Sequence, residues 1–269
     1  MTVRADDWKS VESISISSKA ASVCRLAVVK VVARVAVCDA RTRDGADMRT
    51  SAAAIWQAVH AERRSLAVDL AGLRDEQWRL PSLCPGWDVH DVLAHLVDSA
   101  RTGRISFVRD LVRARMDFDR ANDHGIAREK RPDPQDTLAA LRAAADLTRT
   151  PPANLATRLV EAIVHGEDVR RPLGLAGSYP EPAIAQALAY QLRTPVTFGG
   201  GRERAVGLRL VDTTTGATWG AGDDVQAEAI DLLLAVSGRP VDPGRLGGQG
   251  AARLAAAAGP PAVRKPQHP

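Results

Sequence analysis

Apolar residues recur at helical spacing along the middle of the chain, beginning near Ser51. Between residues 51 and 73 they fall three, four or seven positions apart with charged residues between them, at Ile55, Val59, Leu66, Leu70 and Leu73. This spacing places apolar side chains on one face of a helix. The pattern therefore predicts a first amphipathic helix over 51–73.

Turn residues separate this helix from a second one. The stretch RLPSLCPGW contains two prolines and a glycine, and Asp88 is followed three positions later by Asp91, as in a helix cap. We expect the second helix to run from Val89 past Val112. The charged region 117–135, which contains RPDPQ, is predicted to be a loop.

Two further helices are predicted before the pattern of apolar and polar residues changes. The stretch DTLAALRAAADLTRT restarts the helical pattern with Asp136 as its N-cap, and two prolines end it. The stretch ANLATRLVEAIVHGEDVRRPLG forms the next helix, which stops at Pro172 and Gly174. Four amphipathic helices with short to medium connections favour a helical bundle.

The pattern after Gly177 is typical of a small α+β domain. The stretch EPAIAQALAYQLRTPVTF predicts a helix, and AVGLRLVDTTTGATWGAGD predicts two strands joined by a turn. The stretch VQAEAIDLLLAVSGRP then predicts a helix that stops at Gly238. The sequence thus predicts a mainly α protein with a bundle at 48–177 and an α+β domain at 178–258.

The two ends of the chain differ from its centre. Residues 1–47 join a serine-rich patch to a basic apolar stretch, and Met48 directly precedes the periodic pattern. We interpret residues 1–47 as an extension that is disordered or not native, with the natural start at Met48. The proline-rich residues 259–269 are predicted to be a disordered tail.

Charge and composition argue against two classes of partner. The net charge is +4 and the pI about 9.2, but acidic residues accompany the basic ones, without a basic stripe. We therefore expect no nucleic-acid partner. The apolar stretch at 21–38 is interrupted by Arg25, Lys30 and Arg34, so no membrane span is expected.

The cysteines indicate a reducing environment. Cys24, Cys38 and Cys84 show no CxxC spacing, and any disulfide would leave one of them over. Neither a zinc knuckle nor a secreted disulfide scaffold is indicated. The expected location is the cytoplasm.

A polar stripe on the fourth predicted helix is the strongest sign of chemistry. Its members are Arg158, Glu161, His165 and Asp168, and apolar residues flank it on both sides. Buried carboxylates and imidazoles need partners, and a divalent metal satisfies both at once. His95, among valines and leucines of the second helix, can face the stripe in an antiparallel bundle. Two imidazoles and one carboxylate would leave an open position, as catalytic zinc sites require.

Each of these residues also has an ordinary structural interpretation. A core histidine such as His95 commonly bonds to a backbone carbonyl, and Glu–His pairs four positions apart occur in many helices. Asp168 beside Arg170 and Arg171 would form a surface ion pair of little energetic weight. On this interpretation the chain is a structural helical protein that binds no metal.

Three stretches carry motifs in a fixed order. They are LRDEQWRLPSLCPGWDVHDVLAHLVDSA, RLVEAIVHGEDVRRPLG and GLRLVDTTTGATWGAGDDVQAEAIDLLLAVSGRP. Over residues 50–255 the chain resembles the mycothiol-dependent maleylpyruvate isomerase family of actinobacteria. The resemblance implies a DinB-like four-helix bundle followed by a small α+β domain. It also implies a divalent metal, with zinc expected, held by His95, Glu161 and His165.

The resemblance further implies an activity. The chain would be a metal- and mycothiol-dependent enzyme in which a metal-bound thiolate attacks an electrophilic small molecule, as a cis–trans isomerase or an S-transferase. Arg239 in SGRP is placed as the catalytic arginine, which would stabilise an enolate or grip a substrate carboxylate. The alternative is a metal-stabilised, non-catalytic binding or regulatory module on the same bundle.

Neighbouring residues are assigned supporting parts. Asp168 is expected to orient His165 or to pair with Arg158. Trp87 and Cys84 are expected to be structural. His90 lies about 140° around the helix from His95, so its ring should point elsewhere.

Overall fold

Helices dominate the part of the chain that the computed structural model describes, residues 51–258. The predictions for residues 1–47 and 259–269 lie outside that range. The helices are α1 (Ala52–Asp69), α2 (Asp75–Trp78), α3 (Val89–Arg101), α4 (Arg104–Arg113), α5 (Phe118–Glu129), α6 (Pro134–Ala144), α7 (Thr157–Arg170), α8 (Glu181–Arg193), α9 (Ala229–Val236) and α10 (Ala251–Ala258). The strands are β1 (Leu208–Asp212), β2 (Thr218–Gly220) and β3 (Asp223–Ala227).

Four of the helices form the predicted bundle. Helices α1 and α3 each pack against both α6 and α7, so the four close into a ring. Each contributes apolar side chains to a shared core, among them Leu66, Leu93, Leu141 and Val169. Burial of such side chains stabilises the fold by about 1.5–3 kcal/mol each. The expectation of a mainly helical fold with a bundle is confirmed.

The second predicted helix is interrupted, and the expectation that it continues to Val112 is wrong. Helix α3 ends at Arg101, and Thr102 is extended with φ −82° and ψ 114°. Gly103 is the N-cap of the separate helix α4. A glycine and a β-branched residue in succession weaken the helix at this point.

The prediction of a loop over 117–135 is also wrong, because this region contains α5. Asp117 caps the helix by accepting a hydrogen bond from the Arg120 N–H at 3.0 Å. Helix α5 packs on α3 at Gly125, where an added Cβ would collide with Asp98. The ion pairs Arg101–Glu129 and Asp98–Arg128 connect α5 to α3. Such contacts leave no hydrophobic periodicity in the sequence, so the pattern did not predict this helix.

The N-cap expected at Asp136 lies three residues earlier. The Asp133 side chain accepts a hydrogen bond from the Gln135 N–H at 2.8 Å. Pro134 follows as the first helical residue of α6, a position where its missing N–H costs nothing.

The α+β part contains one more strand than the sequence indicated. The strand order is β2-β1-β3, with β1 antiparallel to β2 and parallel to β3. The residues VQA, expected to open a helix, belong to β3, and α9 begins at Ala229. Leu210 of β1 pairs with Trp219 and Val225 at the centre of this small sheet.

One apolar cluster extends from the bundle into the α+β part. It includes Val59 of α1, Ile163 of α7, Leu188 of α8, Leu210 of β1 and Leu233 of α9. Helix α7 therefore packs on both parts, with its polar stripe near their junction. The domain boundary after residue 177 stays a prediction. No helix within 51–258 combines the length and the apolar character needed to cross a membrane.

Candidate metal centre

Helix α3 places His95 two turns inside the bundle. The helix starts with a reciprocal cap, in which the Asp88 carboxylate accepts from the Asp91 N–H at 2.6 Å and the Asp91 carboxylate accepts from the Asp88 N–H at 3.1 Å. Lys130 donates to both carboxylates and neutralises part of their charge. The cap expected from the sequence is therefore confirmed, and it holds a helix whose inner face carries His95.

Helices α3 and α7 bring the three predicted ligands together. The Nε2 atom of His95 lies 3.2 Å from Oε2 of Glu161. The ring centroids of His95 and His165 are 4.8 Å apart, with the rings at 74°. One donor atom of each residue lies within 4.8 Å of the other two. The side chains are 7%, 31% and 12% exposed for His95, Glu161 and His165, so the cluster is shielded but reaches solvent through the glutamate.

A divalent metal fits the donor atoms of this cluster. Two ligands on a tetrahedral zinc, each about 2.0–2.2 Å from it, lie about 3.3–3.5 Å apart, close to the His95–Glu161 separation. The Nδ1 atom of His95 is buried without a hydrogen-bond partner within the described residues, so this ring is not the backbone-bonded core histidine of the structural interpretation. Two imidazoles and one carboxylate are a donor set that suits zinc.

Asp168 determines which ring nitrogen of His165 donates a hydrogen bond. Its Oδ2 atom lies 2.9 Å from Nδ1 of His165. Burial raises the pKa of Asp168, but the charge of Arg239 and the hydrogen bonds from His165 and Arg239 outweigh it and hold that pKa below its ordinary value. An ionised carboxylate only accepts hydrogen bonds, so Nδ1 carries the proton and the lone pair stays on Nε2.

The same aspartate binds Arg239 from the α+β part. The Nε and Nη2 atoms of Arg239 donate to Asp168 at 3.0 and 2.8 Å, and Nη1 donates to the Ser237 carbonyl at 3.2 Å. Burial lowers the pKa of Arg239, but its attraction to Asp168 outweighs burial and raises that pKa above its ordinary value. Arg239 is therefore a permanent cation tied, through Asp168, to His165.

The end of α9 determines where Arg239 leaves the helix. Gly238 is left-handed, with φ +81°. The Arg239 N–H donates to the Leu234 carbonyl at 2.9 Å and the Gly238 N–H to the Ala235 carbonyl at 3.0 Å. These two bonds form a Schellman motif, which requires a left-handed residue at the position of Gly238.

Electrostatics hold Glu161 in its charged form. Burial raises the pKa of Glu161, but the hydrogen bond and charge of His95, followed by the charges of Arg158 and His165, outweigh burial and hold that pKa well below its usual range. A charged carboxylate is the form that ligates a metal.

The tryptophan loop before α3 forms one wall of the cluster. The Trp87 ring centroid lies 5.1 Å from that of His95 and 6.2 Å from that of His165. The loop is held in place by Ser82, whose N–H and hydroxyl donate to the Trp87 carbonyl, and by the Leu83 N–H, which donates to the Asp168 carbonyl at 3.0 Å. Trp87 therefore does more than pack the start of α3, because it covers both imidazoles.

Cys84 lies on the same loop and close to the same residues. Its sulfur is within 4.8 Å of donor atoms of His165 and Asp168. The sequence offered one sign of this placement, since Cys84 and Trp87 belong to the turn that leads directly into the helix of His95.

Arg158 and His90 form their hydrogen bonds outside the proposed ligand set. Arg158 donates to the Ser99 hydroxyl at 2.8 Å and does not pair with Asp168. Ten residues of helix span about 15 Å, so Arg158 and Asp168 are too far apart along α7 for such a pair. His90 contacts the Thr137 hydroxyl at 2.8 Å, which confirms that it points elsewhere.

Comparisons with known proteins agree with the predicted resemblance. Residues 59–155 match the family model described as the mycothiol maleylpyruvate isomerase N-terminal domain. The matched range includes His95 and ends before Glu161 and His165. No curated protein sequence matches the chain.

The fold is similar to that of two solved structures. One is described as the crystal structure of the mycothiol-dependent maleylpyruvate isomerase, and the other is a point mutant of the same enzyme. Each superposes with a TM-score of 0.51 at 16% sequence identity, covering 75% of this chain and 94% of the solved one. The similarity extends beyond the bundle and confirms the fold of a helical bundle with a small α+β part.

Proposed function

We propose that the chain, whose residues 59–155 match the mycothiol maleylpyruvate isomerase N-terminal domain family, is an enzyme that uses a divalent metal and mycothiol. The proposed metal ligands are His95, Glu161 and His165, and zinc is the proposed metal. The observation that carries the proposal is the approach of one donor atom from each of these residues to within 4.8 Å of the other two.

The proposed ligand set leaves room for a further ligand. A bound metal would supply Lewis-acid chemistry that favours the deprotonated, nucleophilic form of a thiol. The chain's own residues prepare the position: Asp168 keeps the Nδ1 proton of His165 in place, and Trp87 shields both imidazoles from water. Shielding strengthens the attraction between opposite charges at the site.

Arg239 is proposed to act on charge that develops in the substrate. When a thiolate sulfur adds to a double bond conjugated with a carbonyl group, a C–S bond forms, the carbon–carbon π bond breaks, and the electron pair moves to the carbonyl oxygen as an enolate. A nearby fixed cation stabilises that oxygen. Asp168 occupies the Nε–Nη2 edge of Arg239 and the Ser237 carbonyl accepts from Nη1, so only the remaining N–H groups of the two terminal nitrogens are left for a substrate oxygen.

The enolate leads to either of two products. Rotation about the former double bond, followed by collapse of the enolate and expulsion of the thiolate, gives the trans isomer. Protonation of the enolate at carbon instead keeps the C–S bond and gives an S-conjugate. We propose a maleylpyruvate isomerase-like reaction of one of these kinds on a small electrophilic molecule.

Metal depletion and repletion test this function. We expect the chelator-treated protein to lose thiol-dependent turnover of electrophiles, and stoichiometric zinc to restore it, because the thiol is activated only beside the metal. The electrophile panel contains activated cis alkenes, assayed for isomerisation and conjugation, and alkyl halides, assayed for conjugation. A metal that raises the melting temperature without any thiol binding or turnover would instead identify a non-catalytic, metal-stabilised module.

A further inference from the structure

A second buried cation lies one helical turn from the proposed metal ligands. Arg158 precedes Glu161 by one turn on α7, and Ser99 follows His95 by one turn on α3. Arg158 and Ser99 therefore form the contact next to that of Glu161 and His95. Arg158 is 6% exposed, and its Nη1 atom donates to the Ser99 hydroxyl at 2.8 Å and to the Ser99 carbonyl at 3.2 Å.

The free edge of Arg158 has the form that binds carboxylates elsewhere in this chain. Its Nε atom is buried without a hydrogen-bond partner among residues 51–258, and its Nη1 atom makes the two bonds to Ser99. The same Nε–Nη2 edge binds Asp168 in Arg239 and Asp224 in Arg209. A carboxylate is therefore the natural partner for the corresponding edge of Arg158.

Arg63 of α1 adds a second positive charge nearby. It is 5% exposed, and its Nη1 atom donates only to backbone carbonyls, those of Leu147 at 2.9 Å and Ala145 at 3.3 Å. Burial, followed by repulsion from Arg158, lowers the pKa of Arg63 to about 10. Burial also lowers the pKa of Arg158.

Little negative charge lies near Arg63 and Arg158 to balance their two positive charges. Glu161 attracts both of them but faces His95, and the other group that favours the charged form of Arg158 is the phenol of Tyr190, which is neutral at ordinary pH. Asp146 attracts Arg63, yet its side chain is 69% exposed and already bound by Arg64. A buried charge without a counter-charge is costly, so the interior beside Glu161 favours an incoming anion.

We propose that Arg158, supported by Arg63, forms an anion-binding subsite that receives a carboxylate group of the electrophile. The assignment to the electrophile rests on the proposed function, whereas the affinity for a carboxylate follows from the arginines alone. Arg239 is less suited to this part, because Asp168 occupies its Nε–Nη2 edge and its Nη1 atom already donates to the Ser237 carbonyl. Glu161, which is 31% exposed, marks the opening through which the anion would approach.

Acetate binding to the zinc-loaded full chain, without thiol or electrophile, tests the subsite. We expect wild-type protein to bind acetate and Arg158→Lys to bind it about 10- to 100-fold more weakly, because lysine keeps the charge but loses the two-point edge. Arg149→Met is the matched control, since Arg149 is exposed and donates to the Arg101 carbonyl; it should bind acetate like wild type. Circular dichroism confirms that each variant is folded.

Three results would overturn the subsite: wild-type protein that does not bind acetate, an Arg158→Lys variant that binds it as tightly as wild type, or an Arg149→Met variant that loses it equally. If Arg158→Lys fails to fold, Arg63→Lys is used in the same assay with the same expected direction. Wild-type affinity in Arg158→Lys would indicate that acetate binds to the metal instead of to Arg158.

A kinetic comparison separates this inference from the proposed function. Arg158→Lys should raise KM about tenfold or more for a carboxylate-bearing electrophile and leave KM unchanged for its methyl ester. An equal change for acid and ester would contradict a carboxylate subsite while leaving metal- and thiol-dependent turnover intact. Conversely, a chain without turnover that still binds acetate through Arg158 would refute only the proposed enzyme.

Discussion

Asp168 and Arg239 form a two-point salt bridge across 71 positions of the chain. It joins the bundle helix α7 to the end of α9 in the α+β part. Because Asp168 also accepts the hydrogen bond of His165, one fully buried carboxylate connects a proposed metal ligand to the proposed catalytic cation. A movement of the bundle relative to the α+β part would therefore displace both His165 and Arg239.

Replacement of Asp168 should weaken metal binding without removing a ligand. In Asp168→Asn, the amide oxygen is a poorer acceptor for the His165 Nδ1–H, so we expect about 10- to 100-fold lower metal affinity, measured by competition with a chromogenic chelator. Asp146→Asn is the control, since that exposed aspartate pairs with Arg64 on the surface. Unchanged affinity in Asp168→Asn would show that this aspartate does not support His165.

Removal of the Arg239 charge should spare the metal and lower both stability and turnover. In Arg239→Met, the buried Asp168 carboxylate loses its cation, which typically costs about 3–5 kcal/mol in unfolding free energy. We expect the loss in turnover to appear in kcat, by roughly a hundredfold or more, because the cation acts on charge formed during the reaction. Urea unfolding and steady-state kinetics measure the two effects. Wild-type kcat in the folded variant would assign the catalytic cation to another residue.

The left-handed glycine before Arg239 offers a test of positioning. Gly238→Ala should lose about 1–2 kcal/mol from backbone strain, and more from crowding, because an added Cβ would lie 2.8 Å from Nη2 of Arg204. Gly216→Ala is the matched control, since it has φ +74° and no atom within 4 Å of an added Cβ. Chemical denaturation compares them, and equal losses would mean that crowding at Gly238 is relieved without cost.

The buried Glu62 predicts a pH-dependent stability. Burial, offset in part by Arg170, raises the pKa of Glu62 from 4.5 to about 7. Folding therefore favours the protonated form, so the stability from this group is complete below pH 4.5 and is lost as the pH rises through 7. The slope is at most about 1.4 kcal/mol per pH unit. The unfolding free energy of wild type relative to Glu62→Gln should decline from pH 5 to 8, because the buried histidines contribute equally to both curves; parallel curves would contradict the raised pKa.

Local patterns in the sequence were enough to predict the bundle and to nominate its ligand set. Helix α7 has a regular period, so spacing alone places Glu161 and His165 on one face. Helix α5 escaped prediction because ion pairs such as Arg101–Glu129 hold it to α3 and little apolar periodicity remains. The contact of Trp87 with both imidazoles depends on a loop whose path no local pattern encodes.

The most direct test of the central claim is the zinc content of the purified proteins, measured by inductively coupled plasma mass spectrometry. Wild type and His90→Ala, a matched loss of a buried histidine on α3, should each carry close to one zinc per chain. His95→Ala and His165→Ala should carry almost none, and Glu161→Gln should retain a reduced amount. Full occupancy in the double variant lacking His95 and His165 would contradict the proposed metal centre.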